Sequence, residues 1–523
     1  MSAAITAPRS VAVIAFACLF AGCVGDGGVN GDDAGGTPTT VESAPTSTST
    51  STTSTTSSVP PDLSQVAPEP DGTLSPPAGV RRPWSATVPG LLTFRGNPTR
   101  SYYGKGPVPA APEIRWTYPA SGAMCADSTV GDETKQWCGT GWTGQPAVFN
   151  RDGRQWVVFG AYDRAVHFVD STDGSDILTP FATGDLIKGS VTVDPDGFPL
   201  VYTGSRDNHF RVLAIDRGGE AVELWRLSAT DVGPTLWNND WDGSALVLDD
   251  WLIVGGENSQ LHVVQLNRGY DAEGRVTVAP QLIFNTPGWD DQVIADLAGN
   301  RANEMSIENS VAVWGDTVYF ANSGGLVQGW DLAPLRMGGT PTRTFRFWTG
   351  DDTDASVVID EDGFLYVAVE FERANAQGRF LGQLMKLDPR RPDDPYVWSY
   401  KDQGDIPAGF WATPALLDTV VIAPTDGGEV LALDRMTGEK LWSFELTGPT
   451  WQSPVVVDEK LVQGDCNGTL HGYDVSNERI QPPELWSVDV GGCIESTPAL
   501  WEGRLFVGTR GGRFFSLGDI TPP

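Results

Sequence analysis

Ala432-Leu433-Asp434-Arg435-Met436-Thr437-Gly438-Glu439-Lys440-Leu441-Trp442 decides how this chain folds. Apolar residues lead into Asp-x-x-Thr-Gly and resume at Leu-Trp, so two short strands flank a turn whose glycine suits a left-handed position. Working outward, Val420-Val421-Ile422-Ala423 stands ahead of this stretch, and Pro414-Ala415-Leu416 ahead of that. The unit is four antiparallel strands with a small or polar start and Gly/Asp turns between them. A single unit leaves apolar surface uncovered, and stacked repetition covers it.

Repetition is what the sequence shows. Second strands recur at 156–160, 200–204, 251–255, 318–321, 365–368, 420–423, 461–464 and 505–508. Inner strands precede them at 146–148, 191–193, 245–247, 311–313, 357–359, 414–416, 454–456 and 498–500. Weaker copies of the quoted turn lie at 214–225, 387–398 and 473–486, and the copy at 170–178 has lost its Trp. The last repeat stops at Leu517-Gly518-Asp519 without a fourth strand, whereas Glu113-Ile114-Arg115-Trp116-Thr117-Tyr118 is a fourth strand with no repeat before it. Joining the two would close a ring and remove exposed edges. The expectation is an all-β, eight-bladed β-propeller closed by an N-terminal strand and preceded by a disordered linker. The turns at Asp194–Gly197 and Asp360–Gly363 lack the further ligands of a calcium loop and read as hairpin turns.

The 432–442 stretch resembles the tryptophan-docking repeat of the PQQ-like, quinoprotein-type propellers, and the resemblance runs from roughly Thr93 to Asp519. It implies that Asp and Thr fix the turn and that Trp packs between adjacent blades, so the tryptophans are architectural. Quinoprotein dehydrogenases of that family hold PQQ and calcium over the channel beside a carboxylate base, and Glu308, Asn309 and Asp354 could supply part of such a set. The chain departs from those enzymes: it has no vicinal Cys-Cys and no Cys-x-x-Cys-His. The expectation is therefore a non-catalytic binding or scaffold propeller of the cell envelope, with no catalytic residue and no cofactor. A PQQ-dependent dehydrogenase, with PQQ and calcium, is the alternative, and a glycan-binding propeller the second.

Residues ahead of the inner strands should ring one mouth of the channel: Trp142, Lys188, Trp241 and Asp242, Glu308 and Asn309, Asp354, Trp411, Trp451 and Gln452, and Glu495. Aromatic surface beside charged groups is what a concave recognition site uses. Two insertions, 285–309 and 371–380, offer either binding loops or covers for a blade edge.

The N-terminus sets the compartment. Arg9 precedes the apolar run Val11 to Phe20, and Phe20-Ala21-Gly22-Cys23 resembles the bacterial lipobox. The expected organisation is a signal peptide at 1–22, a Ser/Thr/Pro-rich linker at 23–80 lipidated on Cys23, and a propeller at 81–523. The protein would sit on the outer face of the membrane, or in the periplasm, through its acyl chains. Acidic residues outnumber basic ones 67 to 35, a net charge of -32, which excludes nucleic acid and leaves an envelope protein or a glycan as partner to a monomer. Of six cysteines, four would remain for disulfides: Cys125 with Cys138 inside one polar insertion, and Cys466 with Cys493 across adjacent blades. Four histidines and no metal spacing among the cysteines give no expectation of a metal site.

Overall fold

A computed structural model describes residues 72–520 except 131, 132, 143, 403, 405 and 406. The expected signal peptide, Cys23 and nearly all of the expected linker lie outside the described residues. Eight four-stranded antiparallel sheets follow one another. Blades 1 to 7 take their strands from 147–182, 192–228, 246–287, 312–348, 358–400, 415–445 and 455–489. Blade 8 takes three strands from 499–518 and its fourth from Glu113–Tyr118, in antiparallel register from Glu113 against Gly518 to Tyr118 against Phe514. The ring closes between the two ends of the described chain, as the sequence predicts.

A sheet pressed between two neighbours has no solvated face, which is why the second strands read as apolar runs rather than alternating ones; Leu200–Ser205 is buried throughout. The quoted turn works as its residues suggest. Asp434 Oδ1 accepts the amides of Met436 at 2.8 Å and Thr437 at 2.9 Å, and Gly438 takes a φ of 75°. A Cβ on Gly438 would stand 2.7 Å from the Trp398 ring, so glycine is needed for space as well as for the turn. Trp398 of blade 5 donates its indole N–H to the Arg435 carbonyl of blade 6 at 3.1 Å. Trp442 does the same to Glu478 of blade 7 at 2.8 Å, and Trp116 of the closing strand to Ser171 of blade 1 at 2.9 Å. Tryptophans thus join one blade to the next.

The small or polar start of each repeat is a second latch. Amides of Ser244, Ser310, Ser356 and Thr413 donate in turn to the hydroxyls of Ser310, Ser356, Thr413 and Ser453, at 2.9 to 3.0 Å, tying blades 3 to 7 around the channel. The Asp-rich hairpin turns are held by arginines: Asp194 by Arg268 at 2.8 Å and Asp360 by Arg435 at 3.1 Å, each also accepting a tyrosine hydroxyl.

Segment 90–105 has a role that its lack of repeat pattern conceals. Gly90–Leu91 adds to the inner strand of blade 1 and Gly104–Lys105 runs parallel to that of blade 8. Between them, the carbonyls of Leu92, Pro98 and Thr99 accept amides of Val193, Val313 and Ile359, at the trailing ends of the inner strands of blades 2, 4 and 5. Arg95 donates to the carbonyls of Pro414 and Pro454, and Arg100 to those of Val311 and Phe94. Both guanidiniums are wholly buried. Burial draws the Arg100 pKa down to about 9. The segment stoppers the channel end opposite the predicted mouth.

Both disulfides pair as predicted, Cys125–Cys138 and Cys466–Cys493, a usage that belongs to an oxidising compartment outside the cytoplasm. The first staples a hairpin, Cys125–Val130 against Glu133–Cys138. Among the described residues no helix is long and apolar enough to cross a membrane.

Candidate functional site at the channel mouth

One backbone hydrogen bond recurs at the mouth in all eight blades, in blade 1 from the Tyr162 amide to the Gly139 carbonyl at 2.8 Å. In the other seven a residue one to three places past the second strand donates its amide to a carbonyl ahead of the inner strand: Arg206 to Leu186, Glu257 to Asp240, Ser323 to Ser306, Glu370 to Asp352, Asp426 to Gly409, Cys466 to Pro449 and Arg510 to Cys493, at 2.8 to 3.0 Å. Two residues beyond those carbonyls stand Lys188, Asp242, Glu308, Asp354, Trp411, Trp451 and Glu495. The repeat therefore brings these predicted residues to equivalent places around the ring.

Three of the predicted residues do not face the opening. Trp241 is wholly buried between blades 2 and 3, its ring 5.6 Å from Phe210 and 5.2 Å from His262. Asn309 is a latch, donating to the carbonyls of Ala321 at 2.9 Å and Thr353 at 3.0 Å. Gln452 is wholly buried and donates to the Ser453 carbonyl at 2.8 Å.

The rest divide into an aromatic and an acidic side. Trp142, Trp411 and Trp451 are half-buried. Trp142 of blade 1 meets Trp411 of blade 6 edge to face at 6.0 Å between ring centres, and Trp411 meets Trp451 at 6.3 Å. Blades 1 and 6 are not neighbours, so this contact spans the opening. Beside it Glu495 pairs with Arg510 at 3.1 Å.

On the acidic side, Lys188 of blade 2 places its ammonium 3.2 Å from Asp240, 2.5 Å from Asp242 and 2.9 Å from Glu257, all of blade 3. Burial alone would lower the Lys188 pKa, but the three carboxylates hold it well above the ordinary lysine range. A second cluster lies between blades 4 and 5. Asp352, Asp354 and Glu370 each bring a carboxylate oxygen within 4.8 Å of the others. Glu308 adjoins them through Ser323, whose hydroxyl lies 3.5 Å from Glu308 and 3.3 Å from Asp354. Burial and like charge push Asp354 and Glu370 well above the carboxylate range and Glu308 up to about 8.

The two insertions meet at this second cluster. Each carries a short helix, Asp291–Leu297 and Ala376–Leu381. Arg373 of the later insertion donates to the carbonyls of Asn300, Arg301 and Glu304 in the earlier one and to Ser323 beside the carboxylates, at 2.7 to 3.0 Å. Asp240, Glu257, Asp352 and Glu370 were not among the predicted residues. Their signal was present: Asp-x-Asp ahead of the inner strand and Glu after the second strand, in blades 3 and 5 alike.

Comparison with known proteins matches this architecture. The family described as outer membrane protein assembly factor BamB matches residues 382–481. Quinoprotein alcohol dehydrogenase PedH of Pseudomonas putida is 28% identical over 134 residues, 24% of this chain and only 22% of that enzyme. A europium-containing methanol dehydrogenase superposes with a TM-score of 0.55 at 11% identity, covering 82% of this chain and 98% of that one. Quinohemoprotein alcohol dehydrogenase of Comamonas testosteroni gives 0.52 at 14% identity, covering 84% and 82%. The computationally designed Ika8 protein gives 0.51 at 14% identity, covering 73% and 96%. At such identities the structures share the fold alone.

Proposed function

We propose that this chain, a β-propeller similar to the PQQ-like family, is a non-catalytic binding propeller of the cell envelope, tethered through a lipidated Cys23 and offering its mouth to an envelope protein. The observation that carries this reading is the electrostatics of the mouth. Quinoprotein relatives imply a quinone bearing several carboxylates, which needs cations to meet it. Here Lys188 is spent on three carboxylates and Arg510 on Glu495, while Arg373 is used up on backbone carbonyls. Arg206 faces Asp240 at 3.4 Å. The quinone does not fit this set. With the far end stoppered by segment 90–105, the mouth is a cup rather than a passage, acidic on one side and aromatic on the other.

Such a cup suits a protruding loop that brings cationic and apolar side chains together, the aromatic rings taking the role that buried anchors have in protein interfaces. The BamB description of the matching family agrees with a protein partner. Capture from envelope extract by the mature, lipidated protein tests the reading. One protein should be retained by the wild type and lost on combined Trp142→Ala and Trp411→Ala, with both forms folded by circular dichroism. Retention unchanged in the variant, or retention of glycan alone, would overturn it.

A further inference from the structure

The later insertion builds a cleft on the outer wall of the propeller. Blade 5 places residues 369–383 between its second and third strands, where blade 6 has only 425–428. Within that stretch the helix Ala376–Leu381 ends on two residues that part company: Leu381 is buried in the core shared by blades 4 and 5, whereas Phe380 is 68% exposed. Gly382 closes the helix with a φ of 89°, its amide donating to the Gly378 carbonyl at 2.8 Å. A Cβ there would stand 2.4 Å from the Tyr400 carbonyl oxygen, which also accepts the Gln383 amide at 2.9 Å. Glycine at 382 therefore lets the helix sit directly on the fourth strand, Tyr396–Tyr400, the strand of blade 5 farthest from the channel.

Phe380, Tyr396 and Tyr400 line a cleft of about 810 Å³ that Lys440 reaches from blade 6, a size within the roughly 300–1,000 Å³ of small-ligand sites. Tyr396 is 43% exposed, and Phe410 braces the Tyr400 ring edge to face at 6.2 Å. Fixed polar groups stand among the rings. Ser399 Oγ lies 3.2 Å from the Tyr396 hydroxyl, Asp402 accepts the amides of Gly404 at 3.2 Å and Ala408 at 2.8 Å, and Lys440 pairs with Glu429 at 3.0 Å. Lys401 and Lys440 balance Asp402 and Glu429, so the cleft is close to neutral in a chain of net charge -32.

This combination selects among occupants. An apolar side chain seated on the rings would strip water from Ser399, Asp402 and Lys440 and return no hydrogen bond to them. A sugar ring has a face of C–H groups and a periphery of hydroxyls. Its face covers the aromatic rings while its hydroxyls replace the displaced water, and it brings no charge to a neutral cleft. We propose that this cleft binds a neutral oligosaccharide of hexose or N-acetylhexosamine units, with Phe380 and Tyr396 as the surfaces on which sugar rings stack. The inference goes beyond the partner reading above, which concerns the mouth, and it is measured on the purified protein with no envelope partner present.

The test is an array of neutral hexose and N-acetylhexosamine oligosaccharides, with uronate- and sialate-bearing glycans beside them, probed with purified full-length protein. Titration calorimetry with the best-bound neutral oligosaccharide follows. Phe380→Ala and Tyr396→Ala should each weaken binding about tenfold, and because both side chains are exposed the variants should unfold at the wild-type temperature. Met337→Ala, which removes an exposed apolar side chain of blade 4, should leave the affinity unchanged. Binding to no neutral oligosaccharide, a preference for the acidic glycans, affinity untouched by Phe380→Ala with Tyr396→Ala, or an equal loss in Met337→Ala would overturn the proposal. A peptide library yielding apolar peptides that wild type holds and Phe380→Ala releases, with no saccharide competing for them, would assign the cleft to a protein instead and overturn it as well.

Discussion

His262 lies inside blade 3 with no exposed surface, its Nε2 3.2 Å from Asn258 Oδ1 and its ring against Trp241. Burial pushes its pKa down to about 3, against about 6.5 for the unfolded chain. Between those values the unfolded state binds a proton that the folded state declines, so this residue's contribution is whole above pH 6.5 and is lost as the pH falls toward 3. The ceiling on the slope is roughly 1.4 kcal/mol per pH unit. Unfolding temperatures recorded from pH 7 to pH 4 should fall more steeply for wild type than for His262→Gln, which has no proton to take. Equal slopes would show that the ring is protonated or reachable inside the fold. The same scale explains a misreading: alignment gave Trp241 the right position in the repeat but not its direction. Adjacent strand-like residues point to opposite sides, so Asp242 faces Lys188 while Trp241 turns into the core.

At the scale of the element, the inter-blade tryptophan ties one repeat to the next by a hydrogen bond and by burial. Trp442 is 6% exposed and donates to the Glu478 carbonyl of the next blade. Trp442→Ala removes that bond and leaves a cavity between blades 6 and 7, at a cost of about 3–5 kcal/mol. Equilibrium urea unfolding should show the loss as a lower midpoint with little change in slope, and a loss below about 1 kcal/mol would contradict the architectural role. Turns, inner strands and the closing strand were legible in the sequence because each depends on residues close together in a repeated unit. Segment 90–105 was not. Its backbone bonds go singly to strands from several blades, as Leu92 to Val193 and Thr99 to Ile359, and contacts so distant leave no periodicity. The hydroxyl latches were visible only as small or polar starts, since a serine's partner in the next repeat cannot be read from its spacing.

For the whole molecule, the ring alignment legible in the sequence located the mouth, but its chemistry needed three dimensions. Lys188 stood in the sequence as one cation among the mouth residues. In the fold it is already paired with Asp240, Asp242 and Glu257, which reverses its meaning for an anionic ligand. The tether is a separate matter, resting on Phe20-Ala21-Gly22-Cys23. Acylation needs the Cys23 thiol whereas export does not, and acyl chains bind membrane by roughly 0.8 kcal/mol per buried methylene. Wild type should therefore enter the detergent phase on partitioning and Cys23→Ser the aqueous phase, and a Cys23→Ser form that stays with the detergent would exclude the lipid anchor. On the proposed function, this propeller binds its partner without quinone chemistry. That reading is tested most directly by mixing the purified protein with PQQ and calcium, desalting, and recording quinone absorbance and dye-linked alcohol oxidation. No quinone should be retained and no alcohol oxidised. Stoichiometric PQQ that survives desalting and disappears with Asp354→Ala would contradict that reading.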